Sequence, residues 1–168
     1  MTAVSLIYSN LYFRVTNNQM KIEKAVPDDH EVLTAVTKKS KAYWGYSETQ
    51  IELWSEFLTV TKNYIETQSV FKAAVDDKIA GYYSFYPEDE YIKLDNLFVL
   101  PEYIGKGIGK MLLLDFLHRT KAAGANKIKL HSEPNSELFY ATYGFVKIGQ
   151  IETSIKDRYL PVMELDIK

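Results

Sequence analysis

Short apolar runs at a spacing of two alternate along this chain with longer runs at helical spacing, and Gly, Pro and Asp punctuate them. In MKIEKAV, Ile22 alternates with charged neighbours, which predicts a first strand. Pro27-Asp28-Asp29 opens a helix, because proline suits the first turn and acidic residues there complement the helix dipole. Val32, Leu33 and Val36 give its apolar stripe. Ser47, with Gln50 three residues on, has the form of a capping box for a second helix. Ile51, Leu53, Trp54, Phe57 and Leu58 are the expected buried side of that helix.

VFKAAV, KIAGYYSFY and IKLDNLFV then read as consecutive strands, with Asp76-Asp77 and Pro87-Glu88-Asp89 as the turns between them. The third strand slips phase. Ile92 and Leu94 share one parity, polar Asn96 interrupts it, and Leu97 and Val99 take the other. Side chains alternate strictly along a strand, so a β-bulge is expected near Asp95-Asn96. A major helix follows from Gly107 to Gly124, with Ile108, Met111, Leu112, Leu114 and Leu117 towards the sheet. Lys127 to His131 forms the next strand, Pro134-Asn135 starts a short helix that Gly144 closes, and FVKIGQIETSI and RYLPVMELDI make a last antiparallel pair.

Composition narrows the class. A chain of 168 residues with net charge −2 and 46% hydrophobic content suits one soluble domain with a real core. Residues 1–19 precede a second methionine, Met20, and lack the marks of a signal peptide. They are expected to be an extension to a single domain over 20–168. SLIYSNLYFRV has the pattern to add a strand, or an arm exchanged between the subunits of a homodimer. No basic run points to nucleic acid or a membrane surface, and no apolar stretch reaches the roughly 18 residues a membrane helix needs. Zero cysteines exclude disulfides and thiolate metal sites, and His30, His118 and His131 have no metal-ligand spacing. A metal-free cytoplasmic enzyme is the expected class.

The chemistry concentrates in LDNLFVLPEYIGKGIG, Leu94 to Gly109, where a strand feeds a glycine-rich loop at a helix N-terminus. Gly105, Gly107 and Gly109 allow positive φ and close backbone approach, and Lys106 and Lys110 add positive charge, so the loop reads as a pyrophosphate cradle. It is not a Walker A loop: Ile104 stands where the first glycine belongs and Met111 where Ser or Thr should follow. The dinucleotide fingerprint fails as well, for want of a third glycine at Lys110 or Leu112.

The stretch resembles motif A of the GCN5-related N-acetyltransferases (GNAT), a strand ending in V-x-P and then (Q/R)xxGx(G/A). Val99, Pro101, Gly107 and Gly109 match, and Ile104 replaces the usual Gln or Arg. The segment from Asn135 through Phe139, Tyr140, Gly144 and Phe145 resembles motif B of the same family. The resemblance implies an α+β fold: a mixed, mostly antiparallel twisted sheet of about six to seven strands, about four helices, and a splayed parallel pair beside a bulged fourth strand. It implies acetyl-CoA as co-substrate, held by Leu97, Phe98, Val99, Ile104, Gly105, Lys106, Gly107, Ile108, Gly109, Lys110, Asn135 and Tyr140. The partner is a primary amine, most simply a small molecule, and Tyr43, Trp44, Tyr46, Asn96, Ser154 and Arg158 are the candidate acceptor contacts.

With no cysteine to carry an acetyl group, transfer is expected to be direct. The amine, with a solution pKa of about 10, needs a base. Asp95 is the first candidate, with Glu90 and Glu133 further off, and Tyr140 is the candidate acid towards the departing thiolate. The structural alternatives are a solvent-facing strand carboxylate at Asp95, an N-cap at Asn135, and plain aromatic core at Tyr140 and at Tyr43, Trp44 and Tyr46. Two other functions share this sequence pattern: acetylation of protein lysines or N-termini, and acetyl-CoA sensing without transfer.

Overall fold

The computed structural model describes residues 13–15 and 18–167. Eight strands are present among them: β1 Phe13–Val15, β2 Asn18–Lys24, β3 Ser69–Val75, β4 Lys78–Pro87, β5 Ile92–Val99, β6 Lys127–His131, β7 Val146–Glu152 and β8 Tyr159–Asp166. The α-helices are α1 His30–Tyr43, α2 Glu48–Leu53, α3 Ser55–Leu58, α4 Lys62–Thr67, α5 Ile108–Ala122 and α6 Glu137–Thr142. Three residues of the expected N-terminal extension form β1, which pairs antiparallel with β2 from Phe13↔Met20 to Val15↔Asn18. Asn18 and Gln19 open β2, and residues 1–12, 16 and 17 of the extension, with most of the arm, lie outside the described residues.

The chain divides into two compact units. Unit 1 comprises the residues up to Tyr83 together with Leu97–Asp115. Its strands run in the order β1-β2-β3-β4-β5. Asp76 and Asp77 join β3 to β4 at φ 47° and 62°, the left-handed pair that a two-residue hairpin with the right twist requires. The core of this unit gathers Leu33, Val36, Val60, Ile65, Val70 and Tyr82. The consecutive tyrosines of β4 are both fully buried because they point to opposite faces. The Tyr82 hydroxyl lies 2.6 Å from Thr37 Oγ1 on α1, and the Tyr83 hydroxyl donates to Asp115 Oδ2 of α5 at 2.6 Å. Replacing Tyr83 by Phe withdraws a donor from a buried carboxyl group. We expect it to lower stability by about 1–3 kcal/mol, read as a shifted urea midpoint at unchanged slope.

Two apolar stripes share the segment 51–58, and the fold covers only one of them. Leu58 is buried and Ile51 and Trp54 are half-buried, whereas Leu53 is 73% exposed and Phe57, four residues on, 87% exposed. The sequence-based expectation that all five are buried is therefore corrected. The helix breaks at Trp54 into α2 and α3, and positions 51, 54 and 58 form the inward face. Val32 is likewise exposed, and the buried face of α1 is Leu33, Val36, Thr37 and Ser40. Ser47 does cap α2, accepting from the Gln50 N–H at 3.2 Å.

Unit 2 comprises Ser84–Asn96 and residues from Phe116 onwards. Its strands run β4-β5-β6-β8-β7. β5 and β6 are parallel, from Ile92↔Ile128 to Leu94↔Leu130, where their register ends. β6 pairs antiparallel with β8, and β8 with β7, so the sheet is mixed and mostly antiparallel. The apolar partners Leu94, Ile128 and Leu130 face inward, while Phe85 of β4 packs on Phe116 of α5 at 5.3 Å.

The hydrogen bonds at the two ends of the β4–β5 hairpin are offset by one residue, as the expected bulge requires. The Glu88 N–H donates to Tyr91 O across the turn, and the Leu100 N–H to Ala80 O at the other end. Between those two bonds β5 holds one residue more than β4, which is the definition of a bulge.

Candidate functional site

In unit 1 the chain leaves β5 through a turn of 3₁₀ helix at Pro101–Tyr103 and enters α5 at Ile108. Gly105 and Gly107 sit at φ +78° and +82°, and a Cβ on either would meet no atom within 4 Å. Gly109, grouped with them from sequence, is instead a helical residue of α5. Two amides of the loop are used internally, Ile104 N–H on Pro101 O and Lys106 N–H on Tyr103 O. Those of Gly105, Gly107, Ile108, Gly109 and Lys110 have no partner among the described residues, the last three because the first turn of a helix has none to offer. Five unpartnered donors thus fall within six residues at and just before the N-terminus, the positive end, of a fifteen-residue helix. The Lys106 ammonium lies over the Tyr103 ring at 5.4 Å.

The strand end before this loop is held by an unusually close approach. A Cβ on Gly81 of β4 would stand 2.5 Å from the Phe98 carbonyl oxygen and 3.2 Å from Val99 Cα. Because the Leu100 N–H is bonded to Ala80 in β4, strand alternation turns the Leu97 and Val99 N–H groups away from β4. Lys41, near the end of α1, reaches to 5.8 Å from the Phe98 ring. Just beyond it come Tyr43, 51% exposed, and half-buried Trp44, their rings 5.1 Å apart edge to face; Tyr46 meets Trp54 in the same way. None of the three is core.

In unit 2, Asp95 is exposed and accepts from Asn96 Nδ2 at 3.2 Å, an amide that also donates to Ser84 Oγ at 2.8 Å. Asn135 is exposed in the 3₁₀ turn ahead of α6, and Ser154 is exposed in the β7–β8 connection. Tyr140 is buried on α6, its ring edge to face with Phe139 and Phe145. Burial pushes its phenol above the ordinary value. No buried side-chain oxygen among the described residues lacks a partner, and the Tyr140 hydroxyl has none there, so its tip reaches solvent. Arg158 and Glu133, a candidate acceptor contact and a candidate base, bind each other: Nη2 donates to both carboxylate oxygens at 2.8 and 2.9 Å, and both side chains are largely buried. That pairing engages both oxygens of Glu133 with a cation.

Sequence reasoning missed Lys93, Tyr86 and His131, all neighbours of Asp95 in this unit. A lysine between Ile92 and Leu94 reads as an outward strand position, yet Lys93 is 9% exposed. The one usable signal was parity, which sets Lys93 on the face of Asp95 before the bulge.

The model of the acetyltransferase (GNAT) domain matches residues 44–161. The chain belongs to the GNAT acetyltransferases. The observed mixed sheet with its parallel β5–β6 pair is the GNAT fold, with eight strands where the sequence suggested six or seven, because β1 adds one. Among solved structures similar to this chain are the PaiA N-acetyltransferase of Thermoplasma acidophilum in complex with coenzyme A (24% identity, TM-score 0.75, covering 88% of this chain and 99% of that one). The ribosomal-protein-S18-alanine N-acetyltransferase of Escherichia coli is another (18%, 0.69, 88% and 94%). YncA of Salmonella typhimurium, solved with its cofactor acetyl-CoA, is a third (18%, 0.65, 89% and 94%). No curated protein sequence matches the chain. Among the described residues of this GNAT chain no helix is long and apolar enough to cross a membrane, and no three His, Asp or Glu side chains are grouped to hold a metal ion.

Proposed function

We propose that this protein transfers an acetyl group from acetyl-CoA directly to a primary amine. The observation that carries the reading is the set of five unpartnered backbone N–H groups between Gly105 and Lys110 at the start of α5. Such a set fits a pyrophosphate, whose oxygens take several donors at once and are favoured by the dipole. The amides bind whatever side chain stands at Ile104, so the missing Gln or Arg leaves the cradle intact. Asn135 takes the pantetheine amide.

Acetyl-CoA supplies an acetyl group already activated as a thioester. The Val99 N–H, turned away from β4, donates to the thioester oxygen as it gains charge. Asp95 takes, through a water, the proton that the amine loses as its nitrogen bonds to the acetyl carbon. The Tyr140 hydroxyl donates to the sulfur as the carbon–sulfur bond breaks. Tyr43, Trp44, Tyr46, Asn96, Ser154 and Arg158 remain the candidate acceptor contacts, the last held in place by its ion pair with Glu133.

Because burial raises its pKa, Tyr140 stays protonated throughout the working range and acts by hydrogen bonding to a thiolate whose own reference pKa is about 8.5. Tyr140→Phe is therefore expected to slow turnover several-fold without abolishing it, and to leave the basic limb of the pH–rate profile in place. An undiminished rate would remove Tyr140 from the reaction.

The test needs no acceptor. Calorimetric titration with acetyl-CoA, beside desulfo and dephospho analogues, is expected to give saturable binding. Absence of binding at millimolar ligand would overturn the reading.

A further inference from the structure

In unit 2, strand alternation sets Lys93 and Asp95 of β5 and Lys129 and His131 of β6 on one face of the sheet, opposite the apolar face of Leu94, Ile128 and Leu130. Lys93 is nine-tenths buried, yet among the described residues its Nζ has neither a hydrogen bond nor an ion pair. Asp95, two residues along, and Glu88 attract it through space without ion-pair contact. Lys129 beside it is already engaged, with Glu164 Oε2 at 3.4 Å and the Tyr91 ring at 4.6 Å. No buried side-chain nitrogen among the described residues lacks a partner, so the tip of Lys93 reaches solvent while its stem is enclosed. The side chains of Tyr86 and His131, for which no hydrogen bond is found among the described residues, share Asp95 as a charged neighbour.

Enclosing the stem of a lysine whose ammonium finds no protein partner costs a fold more than a leucine in the same space would. Burial accordingly holds the Lys93 ammonium below the ordinary lysine range, against the pull of Asp95 and Glu88. The cost is recovered when an anion arrives, because a charge-assisted bond to a partly desolvated ammonium is stronger than one at the open surface. Asp95 beside it offers the opposite charge. A cation and a carboxylate side by side complement a ligand that carries both an acid and an amine.

We propose that Lys93 anchors a carboxylate on the amine acceptor, with the Tyr86 hydroxyl as a second donor, so that the substrate class is a small amino acid and not a simple amine or polyamine. The inference rests on the transfer reading and narrows it. Lys93 binds the carboxylate and Asp95 draws the amine.

The experiment compares acceptors that differ only in the carboxylate: phenylalanine against phenethylamine, lysine against cadaverine, and methionine against 3-(methylthio)propylamine. Turnover is read by thiol release, which a cysteine-free protein leaves without background. The amino acid of at least one pair is expected to exceed its decarboxylated partner in kcat/KM by about tenfold or more, a difference of about 1.4 kcal/mol. Lys93→Met, which fills the same volume without the charge, is expected to abolish that preference through KM, and Lys93→Arg to restore part of it. An unchanged preference in Lys93→Met, a preference for the decarboxylated amines, or no turnover of any amino acid would each overturn the inference. Titration of the same preparations with acetyl-CoA separates the two levels. Binding with the wrong acceptor preference sinks only this inference, whereas no binding sinks the transfer reading and this inference with it.

Discussion

A Gly107→Val protein is expected to fold and to lose most of its affinity for acetyl-CoA. Gly107 lies at φ +82°, so a β-branched residue there bears about 1–2 kcal/mol of backbone strain, a tolerable fraction of the roughly 5–15 kcal/mol that holds a domain together. The new side chain meets no protein atom within 4 Å of its Cβ. What it does meet is the space before the five unpartnered amides, where the pyrophosphate is proposed to lie. Thermal unfolding should thus shift by a few degrees while the calorimetric titration weakens by at least about tenfold, each factor of ten being about 1.4 kcal/mol. Parent-like affinity in this variant would return the loop to a plain turn.

Gly81→Ala is expected to do the reverse, damaging the fold first. Its Cβ would stand 2.5 Å from the Phe98 carbonyl oxygen and 3.2 Å from Val99 Cα. Both are main-chain atoms, so no side chain can rotate away and β4 and β5 must part. Overpacking of this kind costs about 1–3 kcal/mol, and more where the neighbour is rigid; for a protein of this size each kcal/mol lowers Tm by about 2–4 °C. The displacement falls on the strand end whose Leu97 and Val99 amides point away from β4, so kcat should fall further than the stability loss explains. A Gly81→Ala protein as stable and as active as the parent would mean that the close approach is not a constraint.

These two glycines also mark how far the sequence could be read. Gly107 was legible because the information is local: glycines at that spacing, after V-x-P and before an apolar helix, fix the backbone whatever lies around them. The Asp76-Asp77 hairpin and the bulge near Asp95 were legible for the same reason, one through residues that tolerate positive φ and the other through a parity slip within a single strand. Gly81 was not legible, since its role comes from a strand that pairs with it from a distance along the chain. Leu53 and Phe57 failed in the opposite sense. Periodicity says which residues share a face, but whether anything covers that face depends on the break at Trp54 and on what packs nearby. Lys93 and the Tyr83–Asp115 pair belong with Gly81. Both are polar groups whose burial is decided by tertiary neighbours, and a polar residue in a strand or helix gives no sign of it beforehand.

The strand order of unit 2 sets a schedule for synthesis. β8 is the last strand in sequence and lies between β6 and β7, so it is the interior strand on which both depend. A nascent chain that has emerged as far as Glu152 carries β7 with nothing to pair with, and β6 with one edge bare. Every residue of β7 is exposed even in the finished fold, Val146, Ile148 and Ile151 among them, which makes this interval the one most open to edge-to-edge association. Unit 1 escapes it, because its sequence is complete once Asp115 has emerged. Chains interrupted between β7 and β8 should accordingly partition to aggregates or proteases with unit 1 already folded, and the yield of the protein should depend on how quickly the ribosome crosses the short connection from Thr153 to Arg158.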